Sequence, residues 1–99
     1  VITVVNKYKH TPTPNDIYIG RGSAFGNPYV IGSEYTRDKA VDAYCTYLNA
    51  KRQYNAQFRH ELQKIADKAK ISDINLVCYC KPQRCHGDIL KELLESEYL

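Results

Sequence analysis

No methionine and no tryptophan occur in these 99 residues, and no apolar run approaches the ~20 residues that a membrane-crossing helix needs. The missing methionine leaves the initiator outside the sequence, so Val1 reads as a processed or trimmed end. The lack of a long apolar run removes any expectation of a membrane partner. The opening VITVV is too short for the apolar stretch of a signal peptide and has no basic flank, so the chain reads as cytoplasmic. Low-complexity tracts and internal repeats are also absent, which argues against disorder and against a solenoid. In a cytoplasmic chain the four cysteines do not suggest a disulfide framework. The length allows one modest core, residues 1–99 as a single domain, with no room for a second catalytic domain.

What is present points mildly toward anionic partners. Fourteen Lys and Arg against eleven Asp and Glu leave a formal charge of +3, well short of the dense basic patch that announces nucleic-acid binding. The nine tyrosines offer stacking surfaces, although a tyrosine in a small domain is ordinarily half-buried with its hydroxyl at the rim.

Val1 to Val5 are β-branched and apolar except at Ile2's neighbour Thr3, which suits a buried first strand. Residues 6 to 16 hold Asn6, Pro12, Pro14 and Asn15 and form a loop. Ile17 to Ile19 resume a short strand that runs into the glycine-rich stretch Gly20 to Pro28, and Tyr29 to Ile31 suggest another short strand closed by Gly32 and Ser33. Thr36 is placed to cap a helix carrying Val41, Tyr44, Cys45 and Leu48 on one face. A break between Gln53 and Asn55 precedes a second helix, with Phe58, Leu62, Ile65, Ala66 and Ala69 on its apolar side. Ile74 to Cys80 read as a strand, and His86, Leu90, Leu93 and Leu94 mark a third helix. The order β-β-α-α-β-α predicts an α/β domain with a short, mainly parallel sheet and about three helices, its ligand site beyond the carboxyl ends of the strands.

The stretch CYCKPQRCHGD, residues 78 to 88, permits three readings. Cys78, Cys80, Cys85 and His86 match a zinc ligand count, but a Cys-x-Cys pair on an extended strand spaces its Cα atoms roughly 6 to 7 Å apart, a poor half-site. No metal is therefore assigned, and zinc is expected below stoichiometry. A second reading places Cys85 at the start of a helix, where unpaired N–H groups and the neighbouring Lys81, Arg84 and His86 would lower its pKa and make it the most reactive thiol. The same helix start would receive a phosphate, Gly87 would allow close approach, and Asp88 would serve as a general base, a sugar-hydroxyl acceptor or a helix cap. The third reading makes the cysteines small apolar core residues, which suits Cys45 and Cys78 best.

Gly20-Arg21-Gly22 with Phe25-Gly26-Asn27-Pro28 matches neither a dinucleotide fingerprint nor a Walker loop. Its glycines still permit close ligand approach, Arg21 supplies a fork for phosphate or carboxylate, and Asn27 offers an orienting amide. The plain alternative is a turn with an arginine in solvent. Taken together, IYIGRGSAFGNP, the TRDKA helix entry and CYCKPQRCHGD resemble the DUF4326 family of bacterial and phage domains over nearly the whole chain. The resemblance places that family's anchors on Gly20, Arg21, Gly22, Gly26, Asn27, Pro28, Cys80, Pro82, Cys85, His86, Gly87 and Asp88, and implies a bacterial cell or phage-infected host. Ala24 stands where a proline is common and Tyr79 where a tryptophan is common, and neither change removes a polar anchor.

The expected function is the binding of a small anionic, nucleotide-derived ligand between the two loops. Gly20, Arg21, Gly22, Gly26, Asn27, Cys80, Arg84 and Gly87 would bind it, and Cys85, His86 and Asp88 would carry hydrolase or transferase chemistry without a cofactor. The alternative is a non-catalytic module, zinc-stabilised or metal-free, that binds nucleic acid or a protein. Metal content together with thiol reactivity separates the two.

Overall fold

The computed structural model describes residues 1–32, 34–79 and 81–99. Its elements follow the expected order: β1 Ile2–Asn6, β2 Asp16–Tyr18, α1 Arg37–Tyr54, α2 Ala56–Ile71, β3 Ile74–Cys78 and α3 His86–Glu97. β3 is the central strand, with β1 and β2 parallel to it on either side. That position accounts for its composition, because a central parallel strand is covered on both faces: Ile74, Leu76, Val77 and Cys78 are all buried. On the edge strand β1, Ile2 is buried while Thr3 is exposed.

The register aligns Val5 with Val77 on one side of β3 and Tyr18 with Val77 on the other. All three strands therefore end at one edge of the sheet. Pairing continues a little beyond: the Lys7 N–H donates to the Cys78 carbonyl at 2.8 Å, and the Ile19 N–H donates to the Val77 carbonyl at 3.0 Å.

The helices begin and end where their polar residues direct. The Thr36 hydroxyl accepts from the Lys39 N–H, capping α1. Asn55 is the shared cap between α1 and α2: its N–H donates to the Lys51 carbonyl, and its side chain accepts from the Phe58 N–H at 3.0 Å. One core gathers Ile2, Tyr44, Leu48, Leu62, Leu76, Leu90 and Leu94, each at most 1 % exposed. Complete burial of a leucine or isoleucine side chain contributes roughly 1.5–3 kcal/mol.

Three expectations need correction. Tyr29 to Ile31 form no strand: the sheet consists of β1, β3 and β2, and Val30 and Ile31 lie exposed in the segment that leads to α1. The last strand stops at Cys78, where the chain turns off the sheet; the expected extension to Cys80 ends outside the described residues. Cys45 is half-buried, its sulfur 3.8 Å from the Asn49 amide, while Tyr44 beside it takes the core position.

Candidate functional site

Because the strands are parallel, their following segments meet at one edge. Lys7 and Tyr8 follow β1, the glycine-rich loop follows β2, Tyr79 follows β3, and α3 begins beside them. A cavity of about 430 Å³ opens there, and Arg21 and Asn27 line it together with Arg84, Cys85 and His86. The two loops singled out in the sequence thus share one concavity.

Within the first loop, the Ser23 hydroxyl and N–H both donate to the Gly20 carbonyl, at 2.7 and 3.1 Å, and the Gly26 N–H donates to the Ser23 carbonyl at 3.2 Å. A side chain at Gly20 would strike the ring of Tyr18. At Gly26 an added Cβ would stand 2.7 Å from the Gly20 carbonyl oxygen, so glycine is what lets the loop fold onto itself. Gly22 has a φ of 93°, a left-handed conformation that side chains disfavour. These glycines shape the loop that carries Arg21. Asn27 lines the cavity with its amide already engaged: Nδ2 donates to the Ala40 carbonyl at 3.0 Å, and Oδ1 accepts from the Tyr29 N–H at 2.9 Å. Its visible role is to tie the loop to α1.

The α3 side departs further from expectation. Cys85 is 1 % exposed rather than solvent-accessible. Its sulfur accepts from the Gly87 N–H at 3.2 Å and lies 3.2 Å from the Cys78 sulfur. The Cys78 hydrogen bond and burial push the Cys85 thiol well above the ordinary range, and they outweigh the Gly87 N–H that favours a thiolate. A helix start lowers a cysteine's pKa only where the resulting charge is tolerated, and here a second sulfur and the core surround it. The reactive-thiol expectation is therefore corrected. With iodoacetamide near pH 7, Cys45 should alkylate before Cys78 and Cys85 in the native protein, as timed peptide mass spectrometry would show; early labelling of Cys85 would contradict the burial.

His86 is likewise buried. Its Nε2 donates to the Ile19 carbonyl at 2.6 Å, and its ring packs edge-on against Tyr44 at 5.0 Å. Burial holds its pKa below the usual histidine range, against the opposing pull of the Ile19 carbonyl and Asp88. The imidazole is thus a neutral tie between α3 and the strand end of β2, with Nε2 unavailable to a metal or a substrate. Among the described residues no group of three or more His, Cys, Asp or Glu is arranged to hold a metal ion. Cys80, named both as a zinc ligand and as a ligand-binding residue, lies outside the described residues.

Asp88 accepts from the Cys85 N–H at 3.1 Å and is ion-paired with Lys81. Together with the Cys85 sulfur it closes the first turn of α3, so the helix start expected to receive a phosphate is capped by the protein itself. The base reading of Asp88 gives way to its capping role. Gly87 faces the core, where an added Cβ would meet Ile19 Cδ1 and Val4 Cγ1, each at 2.8 Å. It allows α3 to lie close on the sheet rather than a ligand to approach. Arg84 reaches the cavity, but its guanidinium is divided between Asp38 at 3.1 Å and Asp42 at 2.9 Å on α1. Its charge is largely satisfied inside the fold.

The cavity's other residues escaped sequence reasoning. Arg37, the first residue of α1, lines it and donates to the Arg84 carbonyl at 3.2 Å. In sequence Arg37 reads only as the residue after a helix cap. Tyr8, Tyr29 and Tyr79 form aromatic walls. The tyrosine content was the available signal, and nothing local distinguished these three from tyrosines of the core. Among the described residues neither Arg21 nor Arg37 is ion-paired, so two cationic forks remain for a ligand.

Residues 4–96 match the family described as Domain of unknown function (DUF4326), and the chain belongs to it. It is also 31 % identical over 91 residues to a protein of Enterobacteria phage T4 described as "Uncharacterized 12.4 kDa protein in nrdA-td intergenic region", a match covering 92 % of this chain and 75 % of the relative. No solved structure matches. Among the described residues no helix is long and apolar enough to cross a membrane.

Proposed function

We propose that this domain binds a phosphate-bearing, nucleotide-like ligand in the cavity at the carboxyl edge of its sheet. The observation that carries the reading is the pairing of Arg21 and Arg37, both without a carboxylate partner among the described residues, with tyrosine walls in one concavity. A guanidinium grips phosphate through two parallel hydrogen bonds, and an aromatic face receives a planar base. The volume of about 430 Å³ falls in the range of small-ligand sites, roughly 300–1,000 Å³. Arg84, held by Asp38 and Asp42, positions the loop next to the ligand instead of neutralising it.

The proposal is for binding and gives Cys85 no covalent step. A thiol 1 % exposed, raised in pKa and engaged in capping its own helix lacks the access and the charge of a nucleophile.

Calorimetric titration with nucleoside mono-, di- and triphosphates tests the reading. Arg21→Ala and Arg37→Ala should each weaken binding by about 1–3 kcal/mol, the usual loss for a hydrogen bond to a charged group. The double variant should be non-additive if both grip one phosphate. Thermal melts should move little, because neither side chain belongs to the core. Equal affinity in wild type and all three variants would sink the proposal.

A further inference from the structure

The aromatic and cationic surface at this edge does not stop at the cavity. Tyr8 and Tyr79 line it, but Tyr18 and Lys7 stand outside its lining and continue the same surface. The Tyr8 and Tyr79 rings lie 5.2 Å apart and tilted by 51°, and Tyr18 meets Tyr79 edge-on at 6.0 Å. The Lys7 ammonium stands 5.4 Å from the Tyr18 ring centre and 5.6 Å from that of Tyr79. Lys7 and Tyr8 follow β1, Tyr18 ends β2 and Tyr79 follows β3, so the parallel sheet itself assembles the cluster.

Core packing does not account for the cluster. Tyr8 is 83 % exposed, Tyr79 41 % and Tyr18 38 %, and none of the three belongs to the core. The local charge is also one-sided. Asp88 is paired with Lys81, and Asp38 and Asp42 with Arg84, while among the described residues Lys7, Arg21 and Arg37 have no carboxylate partner. A row of exposed aromatic faces beside such cations is the chemistry that holds successive bases and their backbone phosphates. It is longer than one nucleotide requires.

We infer that the partner is single-stranded nucleic acid, with one nucleotide in the Arg21–Arg37 cavity and the neighbouring base against the tyrosine cluster, its phosphate next to Lys7. This rests on the cavity reading above and extends it from a free nucleotide to a strand. Base stacking on the exposed rings favours an unpaired strand over a duplex, whose bases are already stacked on one another.

The experiment compares thymidine and uridine monophosphates with four-nucleotide DNA and RNA strands and a blunt DNA duplex, by calorimetry and by fluorescence anisotropy of labelled strands. A four-nucleotide strand of either sugar should bind at least about tenfold tighter than its mononucleotide, and tighter than the duplex, because each additional stacked base contributes about 5- to 150-fold. Lys7→Ala should leave mononucleotide affinity unchanged, weaken strand binding, and reduce the slope of log affinity against log salt by about 0.7, the loss of one phosphate contact on a single strand. Tyr79→Ala should weaken strand binding, with most of the affinity restored in Tyr79→Phe. If mononucleotide and strands bind alike and Lys7→Ala changes neither, the strand inference falls while the cavity reading stands. If the duplex binds as tightly as the single strands, the strand inference falls as well. If neither mononucleotides nor strands bind, both readings fall.

Discussion

Tyr44→Ala should lower the melting temperature by about 12–40 °C, since removing a fully buried aromatic ring costs about 3–5 kcal/mol and each kcal/mol moves the midpoint of a domain this size by roughly 4–8 °C. Tyr44 is 0 % exposed, stacks near Tyr47 and His86, and donates its hydroxyl to the Phe25 carbonyl at 2.8 Å. The side chain therefore joins three parts at once: α1, the first turn of α3 and the glycine-rich loop. Tyr44→Phe separates packing from anchoring. It keeps the ring and leaves the Phe25 carbonyl without its partner, at a cost of about 1–3 kcal/mol. Circular dichroism melts measure both variants. A Tyr44→Phe protein as stable as wild type would show that the loop is held by the burial of Phe25 and not by this hydrogen bond. If the anchor matters to the site, the same variant should also bind nucleotide more weakly, although it changes no residue lining the cavity.

Gly26→Ala should damage both stability and binding, for a reason local to the loop. The new methyl would stand 2.7 Å from the Gly20 carbonyl oxygen and 3.3 Å from Arg21 Cα, and those are backbone atoms that move only if the loop moves. Overpacking of this kind costs about 1–3 kcal/mol. The displaced segment is the one that presents Arg21, so affinity should fall about tenfold or more as the guanidinium loses its alignment with phosphate. Gly32→Ala is the matched control: no atom of the described residues lies within 4 Å of its added carbon, and its φ is not positive. Melts and nucleotide titrations of the two variants should therefore differ sharply. Equal behaviour would mean that the loop adapts to the methyl without moving Arg21.

The layout of this chain was legible because it rests on local chemistry. Thr36 and Asn55 carry the oxygen acceptors that start helices, and the apolar spacing of Phe58, Leu62, Ile65 and Ala69 needs no knowledge of the partner face. The β-branched strands joined by helices implied a parallel sheet, and a parallel sheet sends every strand end to one edge, which is why Arg21 and the Cys85–His86 turn could be expected to meet. Even the misread strand at Tyr29 to Ile31 had suitable residues. Among the described residues it pairs with no strand of the sheet and instead lines the cavity.

The electrostatic state of the site was decided only in three dimensions. By sequence, Cys85 sits beside cations at a helix start, a setting that lowers a thiol's pKa. In the fold Cys78 lies against it and the core closes over it, so the same position raises that pKa instead. Arg84 has no acidic neighbour in its own loop, but α1 brings Asp38 and Asp42 to it. Arg37, unremarkable after a helix cap, joins Arg21 as a cavity arginine without a carboxylate partner among the described residues. Secondary structure depends on bonds and spacings within a few residues, and those are written along the chain. Burial and charge pairing depend on which distant segments close around a group, so the chemistry of Cys85, His86 and the arginines was settled by packing across the fold.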